Sequence, residues 1–127
     1  MVVSSKRLWA LVLFIVSFIL LAVPASRAGV KGAEVAIKAA RTSEVCMIND
    51  EVMKKPQIPV VVEGKTYYGC CPACAKTLTG DPSSRYSKDP QTGKEVDKAK
   101  AFITEGPGGA ALYFESEETA RKYYSAR

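Results

Sequence analysis

Three of the four cysteines, Cys70, Cys71 and Cys74, sit together in the stretch KTYYGCCPACAKTL that runs from Lys65 to Leu78, and the fourth, Cys46, lies upstream. Thiolates bind soft metal ions and attack disulfides, so one of those two chemistries is expected here. Cys70 and Cys74 are four positions apart and Cys71 and Cys74 three apart. Either pair converges on one side of a helical turn. Pro72 suits the first position of a helix, where its missing N–H would be unpaired anyway, and this puts Cys71 near the N-cap. A thiolate at that position faces unpaired backbone donors and the positive helix end, so its pKa is expected to fall. Cys46 is followed by Met47 and a turn-like Asn49-Asp50, with Met53 seven positions on. With three other thiols to meet, Cys46 reads as a site residue rather than a core one.

These residues need elements to hold them. Pro59–Val62 is a β-branched run, Glu63-Gly64 a hairpin connection and Lys65–Tyr68 the returning strand, after which Gly69 breaks the strand. The second half repeats this outline. Asp89–Gly93 is a turn, Ala101–Ile103 a short strand, Gly106–Gly109 a loop and Ala110–Phe114 another strand. Ser116 then caps a helix to about Tyr124, with Glu117 and Glu118 in its first turn. A shift of 45 positions lays Gly64 on Gly109, Tyr68 on Tyr113, Ala75 on Ala120, and Cys70, Cys71 and Cys74 on Glu115, Ser116 and Thr119. The expected fold is α+β: two tandem ββα units, 44–88 and 89–127, the second without thiols. Val30–Arg41 carries apolar residues at helical spacing, so 29–43 is expected to be an N-terminal helix or a linker. Lys94, Lys98 and Lys100 alternate with Glu95 and Asp97 and read as a solvated face.

The N-terminus has a different character. Lys6 and Arg7 precede the apolar stretch Leu8–Val23, and Pro24–Ala28 offers small residues for cleavage. Residues 1–28 therefore read as a signal peptide, or an uncleaved membrane anchor, and place the remainder in the periplasm or otherwise outside the cytoplasm. The net charge of +5 overstates how basic the working part is. Without Lys6, Arg7 and Arg27, the 18 basic side chains become 15 against 13 acidic ones, which gives no sign of a nucleic-acid partner.

Cys46, then Gly64-Lys65-Thr66-Tyr67-Tyr68, then Cys70-x3-Cys74, followed by Asp81-Pro82 and Tyr86, resembles the YHS and TRASH families of small metal-binding domains over roughly residues 44–89. The resemblance implies a treble-clef-like first unit, in which a turn supplies one cysteine and a hairpin followed by a helix supplies the others. Tyr86, Asp89, Gly93, Val96-Asp97 and Ala101-Phe102, ending in Tyr113–Ala120, are also similar to the NosL family of copper lipoproteins that serve nitrous oxide reductase. This chain departs from the two patterns in having no lipid-attachment cysteine, no histidine and an extra vicinal cysteine. The implied role is metal delivery, scavenging or sensing at the cell envelope, with a metal-donor or acceptor protein as partner and a homodimer as a further arrangement.

Four cysteines and nearby methionines without histidine favour soft ions, copper(I) first, then zinc or another soft metal. The expected ligands are Cys46, Cys74 and one of Cys70 or Cys71, with Met47 or Met53 as a weak further donor. Two other readings of the thiols stand beside this. Structural disulfides would suit an oxidising compartment. Thiol–disulfide exchange through Cys71-Pro72-Ala73-Cys74 would be the enzymatic reading. No acid–base pair, serine triad or phosphate loop is evident, so the chain is otherwise read as a non-enzyme.

Overall fold

The computed structural model describes residues 35–127; the signal segment over 1–28 and the start of segment 29–43 lie outside the described residues. The described part is a mixed α/β protein with two α-helices and four short antiparallel strand pairs. Strand β1 (Val45–Cys46) pairs with β2 (Glu51–Val52), and β3 (Ile58–Val62) with β4 (Lys65–Gly69), before helix α1 (Pro72–Gly80). Strand β5 (Tyr86–Lys88) then pairs with β6 (Glu95–Asp97), and β7 (Phe102–Glu105) with β8 (Ala111–Phe114), before helix α2 (Glu117–Ser125). Each expected hairpin-then-helix is thus preceded by a second, shorter hairpin. Strands of two or three residues are too short to show alternation, which is why β1, β2, β5 and β6 left no mark on the hydropathy pattern. The pair β5–β6 straddles the 88/89 boundary drawn from sequence.

The β3–β4 turn follows from its residues. Glu63 and Gly64 both take positive φ, 52° and 76°, the primed turn whose twist matches a two-residue hairpin. Buried Val45, Met47, Val60, Tyr67 and Leu78 share one apolar cluster with Val96, Ile103 and Tyr113, so the two halves have a common core. Phe114 is fully buried and packs its ring 5.4 Å from Tyr123 and 6.2 Å from Tyr124. This seats α2 on β8.

The segment 29–43, expected as an N-terminal helix or a linker, carries no helix over residues 35–41. The Ala40 N–H donates to the Ile103 carbonyl (2.9 Å), the Glu105 N–H donates to the Lys38 carbonyl (2.8 Å), and Ala39 bridges Thr104. The free edge of β7 offers these groups ready partners, whereas a short isolated helix is marginal in water. The lysine-rich run is also not a uniformly solvated face. Lys98 is 5% exposed and Asp97 bonds inward to Lys65 (2.6 Å) and Tyr67 (3.0 Å). The end of β6 and the turn after it aim these side chains at the first half of the chain, a direction that sequence alternation does not encode.

Candidate metal centre

Cys46 ends β1 and is fully buried, and the turn it opens is held on three sides. The Met47 N–H donates to the Tyr68 carbonyl of β4 (2.9 Å), and the Ala111 N–H of β8 donates to the Asp50 carbonyl (2.8 Å). From the third side the Lys98 ammonium donates to the Met47 carbonyl (2.6 Å) and to Asp50 Oδ1 (2.7 Å) and lies 5.2 Å from the centre of the Tyr113 ring. Asp50 itself takes φ 51°, which Asp tolerates better than most residues.

The other thiols come from the β4–α1 junction. Cys71 is the N-cap, with φ −152°, and Pro72 opens the helix as expected. Gly69 is required for a reason the sequence hid: it ends β4, and a Cβ there would fall 2.9 Å from the Cys74 Cβ and 3.1 Å from the Ala75 nitrogen. Its lack of a side chain lets strand and helix close on each other. The sulfurs of Cys46, Cys70 and Cys74 consequently lie within 4.8 Å of one another, and this trio is positioned to hold a metal ion. Cys74 Sγ is 3.6 Å from Cys70 Sγ and 3.5 Å from Cys71 Sγ. Cys70 and Cys71 are alike at the level of spacing, and it is Cys70 that the fold brings together with Cys46 and Cys74. Cys71 borders the trio through Cys74 and is half-buried. Of the proposed thioether donors, Met47 belongs to the buried apolar cluster and Met53 is half-buried beside β2.

The protonation pattern has local causes. Burial pushes the Cys46 thiol up, but the backbone N–H groups of Asn49, Ile48 and Cys70 outweigh it and hold the pKa below the ordinary value. Cys70 is raised, first by its contact with the Cys46 thiol. Cys71 is lowered by the Cys74 backbone N–H and then by the Cys74 thiol, as its N-cap position implied, although it makes no formed capping bond. Burial, followed by the thiols of Cys71 and Cys70, pushes Cys74 up to about 12. All four thiols are free.

Comparison with protein-family models, curated proteins and solved structures finds no match. Two contributors had escaped the sequence reading. The Asn49 amide donates to Cys70 Sγ at 3.6 Å, tying the turn after Cys46 to that thiol. Lys98, 51 positions from Met47, props the Cys46 turn. Asn49 had a signal in its place in the turn after Cys46; Lys98 had none. Among the described residues no helix is long and apolar enough to cross a membrane.

Proposed function

We propose that this chain is an exported soft-metal-binding protein that holds copper(I) through Cys46, Cys70 and Cys74 and serves as a chaperone, scavenger or sensor in the cell envelope. The convergence of three sulfurs within 4.8 Å carries the reading. An all-sulfur donor set of three suits copper(I), whereas a closed zinc site wants four ligands in a tetrahedron. Zinc would have to recruit Cys71, whose sulfur lies beside Cys74. The treble-clef-like character of the first unit and the tandem relation of the two units belong to the same proposal, as does export, which rests on the basic-then-apolar pattern of residues 1–28.

A copper(I) titration of the reduced protein against a chromophoric chelator tests this. The expected result is about one ion per chain with three thiols protected, loss of most affinity in Cys74→Ser, and near-wild-type affinity in Cys71→Ser. Stoichiometric tight binding retained by Cys74→Ser would sink the assignment.

One observation favours a second reading. The 3.5 Å separation of the Cys71 and Cys74 sulfurs, at the start of a helix, is the setting of a thiol–disulfide exchange pair. Turnover in an insulin-reduction assay, lost in Cys71→Ser, would support exchange over metal carriage.

A further inference from the structure

The two halves match beyond their element order. Shifted by 45 positions, α1 (Pro72–Gly80) falls on α2 (Glu117–Ser125) end to end, and the N-caps Cys71 and Ser116 share extended backbone, φ −152° and −160°. The hairpin glycines Gly64 and Gly109 both take positive φ. The short hairpins are closed alike at their ends. The Met53 N–H after β2 donates to the Glu44 carbonyl before β1 (2.8 Å), as the Lys98 N–H after β6 does to the Arg85 carbonyl before β5 (2.9 Å).

The turns of the short hairpins correspond at an offset of 43 rather than 45 positions: Cys46 pairs across its turn with Glu51 and Asp89 with Lys94, which puts Asp89 in the place of Cys46. Each residue opens the turn of its short hairpin. The Asp89 carboxylate accepts the N–H groups two and three residues on, Gln91 (2.7 Å) and Thr92 (3.2 Å), and that of Glu115 (2.8 Å). Around Cys46 the backbone of Ile48 and Asn49, two and three residues on, and of Cys70, which stands where Glu115 does, favours the thiolate. The third turn residue repeats its role as well. Asn49 donates from its side chain to Cys70 Sγ (3.6 Å), and Thr92 donates from its hydroxyl to Glu115 Oε2 (2.9 Å). The adjoining sulfurs of Cys71 and Cys74 correspond to the Ser116–Thr119 capping box.

We propose that Asp89, Glu115 and Thr119 form an oxygen counterpart of the thiol trio, a second site of the same architecture in which a fixed carboxylate closes the turn that a metal-bound Cys46 closes in the first half. Asp89 is fully buried and both its oxygens are taken by backbone donors, while Glu115 is engaged by Thr92 and Lys94. Backbone donors thus occupy both oxygens of Asp89, and the turn it opens is satisfied without an ion. Cys46 instead presents a single sulfur within 4.8 Å of those of Cys70 and Cys74, where it can join them around an ion. Division of labour follows: one half carries the ion, and the other folds without it and supplies Lys98 to the carrier's turn.

The inference rests on the metal-site reading for its first half only, and reciprocal exchange of residues in the full chain tests it. The probe is cadmium(II), read through its thiolate charge-transfer absorption. Asp89→Cys, Glu115→Cys and Thr119→Cys together should raise the stoichiometry from one ion per chain to two. A folded triple variant that still binds one ion, with its new thiols freely titratable, overturns the counterpart. If wild type binds none and the triple variant one, the proposed function fails while the counterpart stands. Because the triple variant risks misfolding, the converse exchange is measured alongside. Cys46→Asp should abolish binding yet leave the metal-free protein melting no lower than wild type, whereas Cys46→Ser melts lower. A Cys46→Asp protein destabilised as much as Cys46→Ser also overturns it.

Discussion

Replacing Lys98 by methionine keeps the length and apolar stem of the side chain and removes only its ammonium. That group is buried, with its side chain 6% exposed, and makes two short bonds, to the Met47 carbonyl and to Asp50. Asp50 is 46% exposed and recovers water, so its share is screened and worth less than about 1 kcal/mol. The Met47 carbonyl belongs to a fully buried residue, and a bond from a charged donor contributes about 1.5–3 kcal/mol. Loss of the ring contact with Tyr113 adds about 0.5–1 kcal/mol. The expected cost is about 3 kcal/mol, which for a domain of this size lowers Tm by roughly 10–20 °C. Thermal unfolding of metal-free Lys98→Met followed by circular dichroism measures it. Since a well-packed apolar replacement of a buried charge is sometimes neutral or stabilising, the outcome is open to refutation. A Tm within about 3 °C of wild type would show that the ammonium does not brace the Cys46 turn.

Cys70 and Cys74 are both raised above the ordinary thiol range, so both carry protons at neutral pH and an ion must displace them. Metal binding in weak buffer should release at least about two protons per ion, and apparent affinity should rise by about two decades per pH unit near neutrality; a pH-independent affinity would contradict the thiol assignment. Gly69→Ala puts a Cβ 2.9 Å from that of Cys74, so α1 must shift away from β4, and metal affinity should fall more than tenfold with the fold retained. Unchanged affinity in the titration would show that the close approach does not set the thiol geometry. Burial pushes the Asp89 carboxyl up, but the backbone donors of Glu115 and Gln91, with others, outweigh it and hold the group below the usual range. Its folded pKa therefore lies below the unfolded value of about 3.9, and its stabilisation is complete above that pH and lost as pH falls through the folded value. Tm should drop steeply below about pH 4, and Asp89→Asn should lower Tm at pH 7 while flattening that acid limb; parallel curves for the two proteins would refute it.

Local chemistry was legible wherever a residue's backbone preference decided the outcome. Glu63-Gly64 made its turn, Pro72 opened α1 with Cys71 as N-cap, and Ser116 capped α2, because each depends on conformations available within a few residues. The four thiols stood out by type and number, while metal binding, disulfide exchange and structural bridging all remained readable from them. What spacing left open was direction. Cys70 and Cys71 are equivalent along the chain, and it is in the fold, where β4 closes on α1 at Gly69, that Cys70 joins Cys46 and Cys74. The short strands β1, β2, β5 and β6 are made by partners rather than by pattern, and residues 35–41 became extended because β7 offered an edge. Lys98 and Asp97 looked like surface charges in a run of alternating signs, yet one holds the Cys46 turn and the other joins Lys65 and Tyr67. Sequence thus determined which atoms were available for chemistry and which turns would form. Tertiary structure decided which of those atoms meet, since contacts across 20 to 50 positions depend on how hairpins pack and not on any preference carried by the residues themselves.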